Sequence, residues 1–193
     1  MNLLIKRIGL VLVLAASALL AGGCGTLQLG QPQPSLENIQ AMKAAKFTKS
    51  GVGRFTLAEG KDPSLDKYVG VRAHALEAPQ GSFARYLQET LEAELRAAGL
   101  LDPAAEALIE GYLIDRQLDP AIGQGSGKLA ARFIVSRQGK VVFDRELAAE
   151  STWESSFVGA IAIPMAIHEF NALFRKLVAK LIQDPDFISA MAQ

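Results

Sequence analysis

Cysteine is almost missing from this chain, since Cys24 is the only one in 193 residues. No disulfide can form within it, so the fold must rest on its core alone. Histidine is nearly as scarce, with only His74 and His168. His168-Glu169 has no second histidine four residues away, which excludes the zinc-protease spacing. Each histidine reads as a surface or rim side chain. Charge of one sign is lacking too, with 20 basic and 20 acidic residues. A nucleic-acid-binding protein needs a basic footprint, and none is present. Nor does the composition imply attraction to anionic lipid headgroups.

Catalytic motifs are also missing. The stretch DPAIGQGSGKLAARF, residues 119–133, holds the ingredients of a phosphate-cradling loop. A Walker loop, however, requires glycine five residues before the Gly-Lys pair and a hydroxyl after it. Those places hold Ile122 and Leu129. The residues after Lys128 alternate with period two, so a strand follows where the motif needs a helix. The stretch reads as a flexible inter-strand loop, and no nucleotide, metal or other cofactor is expected. Ser151, Ser155 and Ser156 lie in no Gly-x-Ser-x-Gly elbow. Glu89, Glu92 and Glu94 read as a solvated helix face. A glycosidase-type pair of carboxylates stays open, because its members need not be neighbours in sequence.

What is present begins at the N-terminus, MNLLIKRIGLVLVLAASALLAGGCG. Lys6 and Arg7 precede an apolar stretch from Ile8 to Leu20, and small residues follow. This pattern predicts a secretory signal peptide over residues 1–23. The apolar stretch is shorter than the ~18–20 residues of a membrane-spanning helix. Leu20, Ala21, Gly22 and Gly23 followed by Cys24 resemble the lipobox of bacterial lipoproteins. The resemblance implies cleavage after Gly23 and acylation, palmitate included, of the new N-terminal Cys24. One acyl chain binds a membrane only marginally, and more than one makes the anchor stable. In such lipoproteins an Asp directly after the cysteine favours inner-membrane retention. Gly25 therefore implies the outer membrane, facing the periplasm. Without Lys6 and Arg7 the chain keeps 18 basic and 20 acidic residues, a net charge of −2.

Residues 24–50 read as the lipidated cysteine, a Gly/Pro-bearing tether over 25–35, and a short helix over Leu36 to Lys46 with a thin stripe of Leu36, Ile39 and Ala44. Residues 51–193 read as a single domain. Strands are predicted over 51–58 and over YVGVRAHAL, residues 68–76. A helix follows from the Ser82 N-cap to Gly99, with Phe83, Tyr86, Leu87, Thr90, Leu91, Leu95 and Ala98 at helical spacing. Strands over 105–118 and 127–137 come next, then a Gln138-Gly139 turn into a further strand. The strands flanking the first long helix are expected to be parallel. The last helix spans about Ile161 to Ile182, with Pro164 tolerable in a first turn. The predicted class is α+β: a mixed, largely antiparallel sheet of about five strands with two main helices packed on one face.

One segment stands out. From Phe157 to Ile167 every residue except Gly159 and Pro164 is apolar. A helix apolar all round must be buried or meet a partner. Burial under the sheet is the commoner fate. The alternative is an exposed surface for protein or lipid contact, carried by Phe157, Ile161, Ile163 and Met165.

The lipobox, DPSL, SFARYLQETLEAELRAAGL, LIEGYLIDRQL, SRQGKVVFDREL and FNALFRKLVAKLIQDPDF together resemble the YajG-type lipoproteins of Gram-negative envelopes. The likeness covers most of residues 62 to 190. It implies an α/β domain on the periplasmic side of the outer membrane with no established enzymatic activity. Auxiliary lipoproteins of ABC-type lipid transport systems are organised similarly. The expected function is thus a non-enzymatic, lipid-anchored binding or assembly module with an envelope protein or lipid partner. An auxiliary role in lipid transport and a cell-wall hydrolase with paired carboxylates are the alternatives.

Overall fold

A computed structural model describes residues 27–192. In chain order the elements are β1 (Leu27–Gln28), α1 (Leu36–Ala44), β2 (Ser50–Leu57), β3 (Tyr68–Val71), β4 (His74–Glu77), α2 (Phe83–Ala98), β5 (Ala107–Asp119), β6 (Gly123–Arg137), β7 (Lys140–Ser155), α3 (Gly159–Gln183) and α4 (Pro185–Met191). The fold is α+β, as the sequence predicts, but its strands form two sheets. A four-stranded sheet runs β2-β5-β6-β7 and a three-stranded sheet runs β1-β4-β3.

The second sheet arises because YVGVRAHAL is not one strand. It folds back at Arg72, whose φ of 55° turns the chain, so that Val71 pairs with His74. The alternating residues of the sequence therefore belong to two short antiparallel strands. The parallel pair that brackets α2 is consequently β2 and β5, not the strand directly before the helix. Gln138 and Gly139 both have positive φ, 51° and 76°, the conformation of a tight hairpin turn between β6 and β7.

The α2 helix starts where two side chains satisfy its free N–H groups. Ser82 Oγ accepts from the Arg85 N–H, and Asp66 accepts from the Ala84 N–H at 2.7 Å. Gly99, with φ 77°, ends it, and the Leu100 N–H reaches back to the Leu95 carbonyl. The buried face of α2 and the seam of α3 meet in an aromatic cluster. Phe174 lies edge-on to Tyr86 and Phe170, with ring centroids 4.8 and 5.5 Å away. Pro164 sits in the second turn of α3 rather than the first. Its missing N–H leaves the Ala160 carbonyl, on an exposed residue, to solvent.

Two expectations fail in the N-terminal part. Residues 25–35 are not a tether throughout. Leu27 and Gln28 pair with Leu76 and Glu77, Leu29 is buried, and the Gly30 carbonyl accepts from the Tyr86 hydroxyl at 2.6 Å. The short helix exists, but it buries Asn38 and Met42, while Leu36 points to solvent. The reason is Glu94, which the sequence places on a solvated face and which is fully buried. Its carboxylate accepts from the Ser35 N–H with both oxygens at 3.0 Å and from the Asn38 amide at 2.9 Å. It thereby satisfies the N-terminus of α1 from another helix.

Burial pushes the Glu94 carboxyl above its ordinary value of 4.5, and the Ser35 and Asn38 hydrogen bonds only partly oppose this. The native state therefore holds this proton more tightly than the unfolded chain does. That contribution to stability is present at low pH and is lost as pH rises through the folded value. Glu94→Gln removes the titration. The wild type is expected to gain stability relative to the variant as pH falls from 7 to about 4.5, the ordinary value. Chemical denaturation of both proteins at the two pH values measures this, and a constant difference would show that folding does not shift Glu94.

Candidate functional site

Three connections converge at one end of the molecule: the β3–β4 turn, the β5–β6 loop, and the segment between β7 and α3. Arg72, at the tip of the β3–β4 hairpin, ties them together. Its guanidinium donates to the carbonyls of Ser156 at 2.6 Å, Phe157 at 3.1 Å and Pro120 at 3.4 Å. A positioned cation at three carbonyls fixes loops whose own backbone groups lack regular partners.

This bracing presents apolar side chains to solvent. Phe157 is 76% exposed, Ile161 59% and Ile122 64%. Val158 and Met165 are exposed beside them, and Ile163 is partly buried against the core. Ala162 and Ala166, by contrast, are fully buried. Burial under the sheet thus holds for Ala162 and Ala166, holds in part for Ile163 and Ile167, and fails for Phe157, Val158, Ile161 and Met165. An open depression of about 550 Å³ lies alongside, lined by Gly70, Arg72 and Leu118 to Ile122, with the exposed Asp119 among them. No charged residue occurs from Ser155 to Ile167, or from Pro120 to Gly127. The result is an apolar cap on one end of the sheet, with Arg72 and Asp119 as the charged residues of the adjoining depression.

The glycines of residues 123–127 belong to this construction. They are not a flexible loop, because β6 already begins at Gly123. A Cβ on Gly125 would lie 2.3 Å from the Trp153 ring, and one on Gly127 2.9 Å from the Leu173 side chain. Glycine is needed there so that Trp153 and α3 can lie flat against β6. Proximity to a phosphate plays no part.

The opposite end is polar. A cleft of about 560 Å³ is lined by residues that include Arg137, Phe143, Arg145, Asp186 and Ala190. Its charges are committed internally. Arg137 donates to Thr48 Oγ1 and the Ala190 carbonyl, and Arg145 pairs with both Asp184 and Asp186. Asp184 also caps α4 by accepting from the Asp186 and Phe187 N–H groups. Burial alone would raise its pKa, but Arg145 and those two N–H groups together hold it below the ordinary carboxylate value. This is structural bracing of a helix start, with no free acid or base left over.

Ser151 comes closest to a catalytic pair. Its Oγ donates to Glu169 at 2.6 Å and accepts from Lys176 Nζ at 2.9 Å. Lys176 lines a small cavity of about 200 Å³ beside α1, but Ser151 and Glu169 line neither that cavity, the polar cleft nor the apolar depression. A nucleophile needs space for a substrate and donors for an oxyanion, so the triplet reads as a local ion-pair network. His74 and His168 are exposed, on different elements. Among the described residues no group of three or more His, Cys, Asp or Glu could hold a metal ion. No helix among them is long and apolar enough to cross a membrane. The lipobox residues, Leu20 to Gly23, and Cys24 lie outside the described residues.

No protein-family model matches the chain, and no curated protein is similar to it in sequence. A solved structure shares its fold, and others are similar to it over part of its length. A Xanthomonas campestris protein of the DUF330 family superposes with a TM-score of 0.50 at 10% identity, over 81% of this chain and 90% of the other. A Chlamydia trachomatis protein gives 0.42 at 11% identity, over 74% and 99%. A minor lipoprotein from Acinetobacter baumannii gives 0.38 at 15% identity, over 76% and 97%. At 10% identity the likeness to the Xanthomonas protein concerns the fold alone.

Proposed function

We propose that this protein is a lipid-anchored component of a Gram-negative envelope, held at the outer membrane by acyl chains on Cys24 and facing the periplasm. Its role is binding or assembly rather than catalysis. The observation that carries this reading is the apolar cap, with Phe157, Ile161 and Met165 exposed on a braced support. A monomer rarely leaves such a cluster bare unless it meets something.

The anchor is tested by Cys24→Ser in cells fed radiolabelled palmitate. The native protein is expected to carry the label and to sediment with outer membranes. The variant is expected to lose the label entirely and to move by more than about tenfold toward the soluble fraction, because the acyl chains supply most of the membrane affinity. Equal membrane association of both proteins would overturn the anchor. Peptidoglycan or ester turnover by the purified protein, abolished by Ser151→Ala, would overturn the non-enzymatic role.

A further inference from the structure

The direction of β1 bears on what the apolar cap meets. β1 runs parallel to β4, with Leu27 beside Leu76 and Gln28 beside Glu77. β4 begins at His74, next to the hairpin tip that holds the cap together. Traced backward from Leu27, the strand points at that tip. The chain thus enters the described fold from the capped end. Cys24 is three residues before Leu27, and three residues reach at most about 11 Å. No slack can be borrowed from further along, since Leu27 to Gly30 are paired, buried or hydrogen-bonded.

We infer that the cap is the membrane-facing base of the domain, seated in the headgroup and upper acyl region of the bilayer that holds the Cys24 lipid. The inference rests on the proposed anchor and names the occupant of the cap as lipid rather than a protein. A lipidated residue within about 11 Å of Leu27 leaves the domain no room to stand off the surface. The end it presents must then be compatible with a bilayer, where buried charge is costly and exposed Phe, Ile, Val and Met are favourable. The two apolar segments of the cap meet both conditions. They have no charged residue, Arg72 is turned onto protein carbonyls, and the exposed Asp119, just before the second segment, is left for the headgroup layer.

The consequence is a fixed orientation. A lipid anchor alone lets a domain tumble, whereas an anchor plus an adjacent inserted cap does not. β6 then carries the Gln138-Gly139 hairpin roughly 45 Å from the surface, at ~3.3 Å per residue. The polar cleft with Arg137 and Arg145 points into the periplasm, where soluble partners would find it.

Thiol labelling tests this cleanly, because Cys24 is the only cysteine and its acylated sulfur takes no thiol reagent. The mature lipoprotein, purified with its acyl chains, is made as Phe157→Cys, Ile161→Cys and Lys140→Cys. Each is labelled with an environment-sensitive fluorophore and reconstituted into phosphatidylethanolamine/phosphatidylglycerol vesicles. All three positions are exposed, so the labels need not disturb the fold. The labels at 157 and 161 are expected to shift to the blue and to be quenched at least threefold more by shallow spin-labelled lipid than the label at 140. If the protein floats with the vesicles but all three labels remain equally aqueous, the inference fails and the anchor stands. If labels at 157 and 161 are shielded without lipid quenching, a second copy covers the cap and the inference fails. If the protein does not float at all, the anchor fails and the inference falls with it.

Discussion

Replacing Phe174 by alanine is expected to lower stability by about 3–5 kcal/mol, the range for deleting a fully buried aromatic ring. The upper half of that range applies because the site cannot collapse. Phe174 is fully buried on α3 and touches rings from two helices. Tyr86 and Phe170 meet it edge-on, and Phe83 lies 6.3 Å away in a stacked arrangement. Phe83 and Phe170 already pack against each other at 5.4 Å, so neither is free to swing into the void. The loss should also reach the N-terminal segment. Tyr86 donates its hydroxyl to the Gly30 carbonyl, and burial pushes the pKa of that hydroxyl up to about 12. Urea denaturation followed by the fluorescence of Trp153, the only tryptophan, measures the effect. A loss below about 1 kcal/mol would mean that the rings do not form one rigid cluster.

Much of this packing could be read from the sequence, because it follows helical period. Phe83, Tyr86, Leu87, Leu91 and Leu95 are buried on α2 as their spacing requires, and Phe170, Phe174, Leu177 and Leu181 on α3. The Gln138-Gly139 turn was equally legible, since glycine beside a polar residue between two alternating strands has few other uses. Three features were not. The β3–β4 turn lies at Arg72 and Ala73, neither a customary turn residue, so period two appeared to continue through it. The direction of Glu94 depends on an N-terminal segment it caps from 59 residues away in sequence, which no local pattern reveals. The exposure of Phe157 and Ile161 depends on carbonyls held by Arg72, some 85 residues upstream. Apolar composition marked the segment, but only tertiary bracing decides which of its faces is covered.

The same dependence on tertiary contact governs the glycines of β6. Gly125→Ala is expected to destabilise by about 3 kcal/mol or more, at the top of the range for overpacking. Backbone strain is not the cause, because the left-handed conformation occurs at Gly123 and not at Gly125. The cause is collision. A methyl group would stand 2.3 Å from Cε2 and 2.6 Å from Nε1 of Trp153, both atoms of a rigid, buried indole. Gly127→Ala should cost less, because its methyl would meet the mobile end of Leu173 at 2.9 Å. The order of the two variants is therefore the diagnostic. Equal losses would show that a general intolerance of β6 is responsible rather than the indole. In Gly125→Ala the emission of Trp153 should also shift to the red as the ring is displaced toward water. Trp153 pairs with Gly125 across the sheet, where β6 and β7 lead into the β5–β6 loop and the start of α3. Displacing the indole there should tilt the cap, so the label at position 161 should lose part of its lipid quenching even in protein that remains folded and anchored.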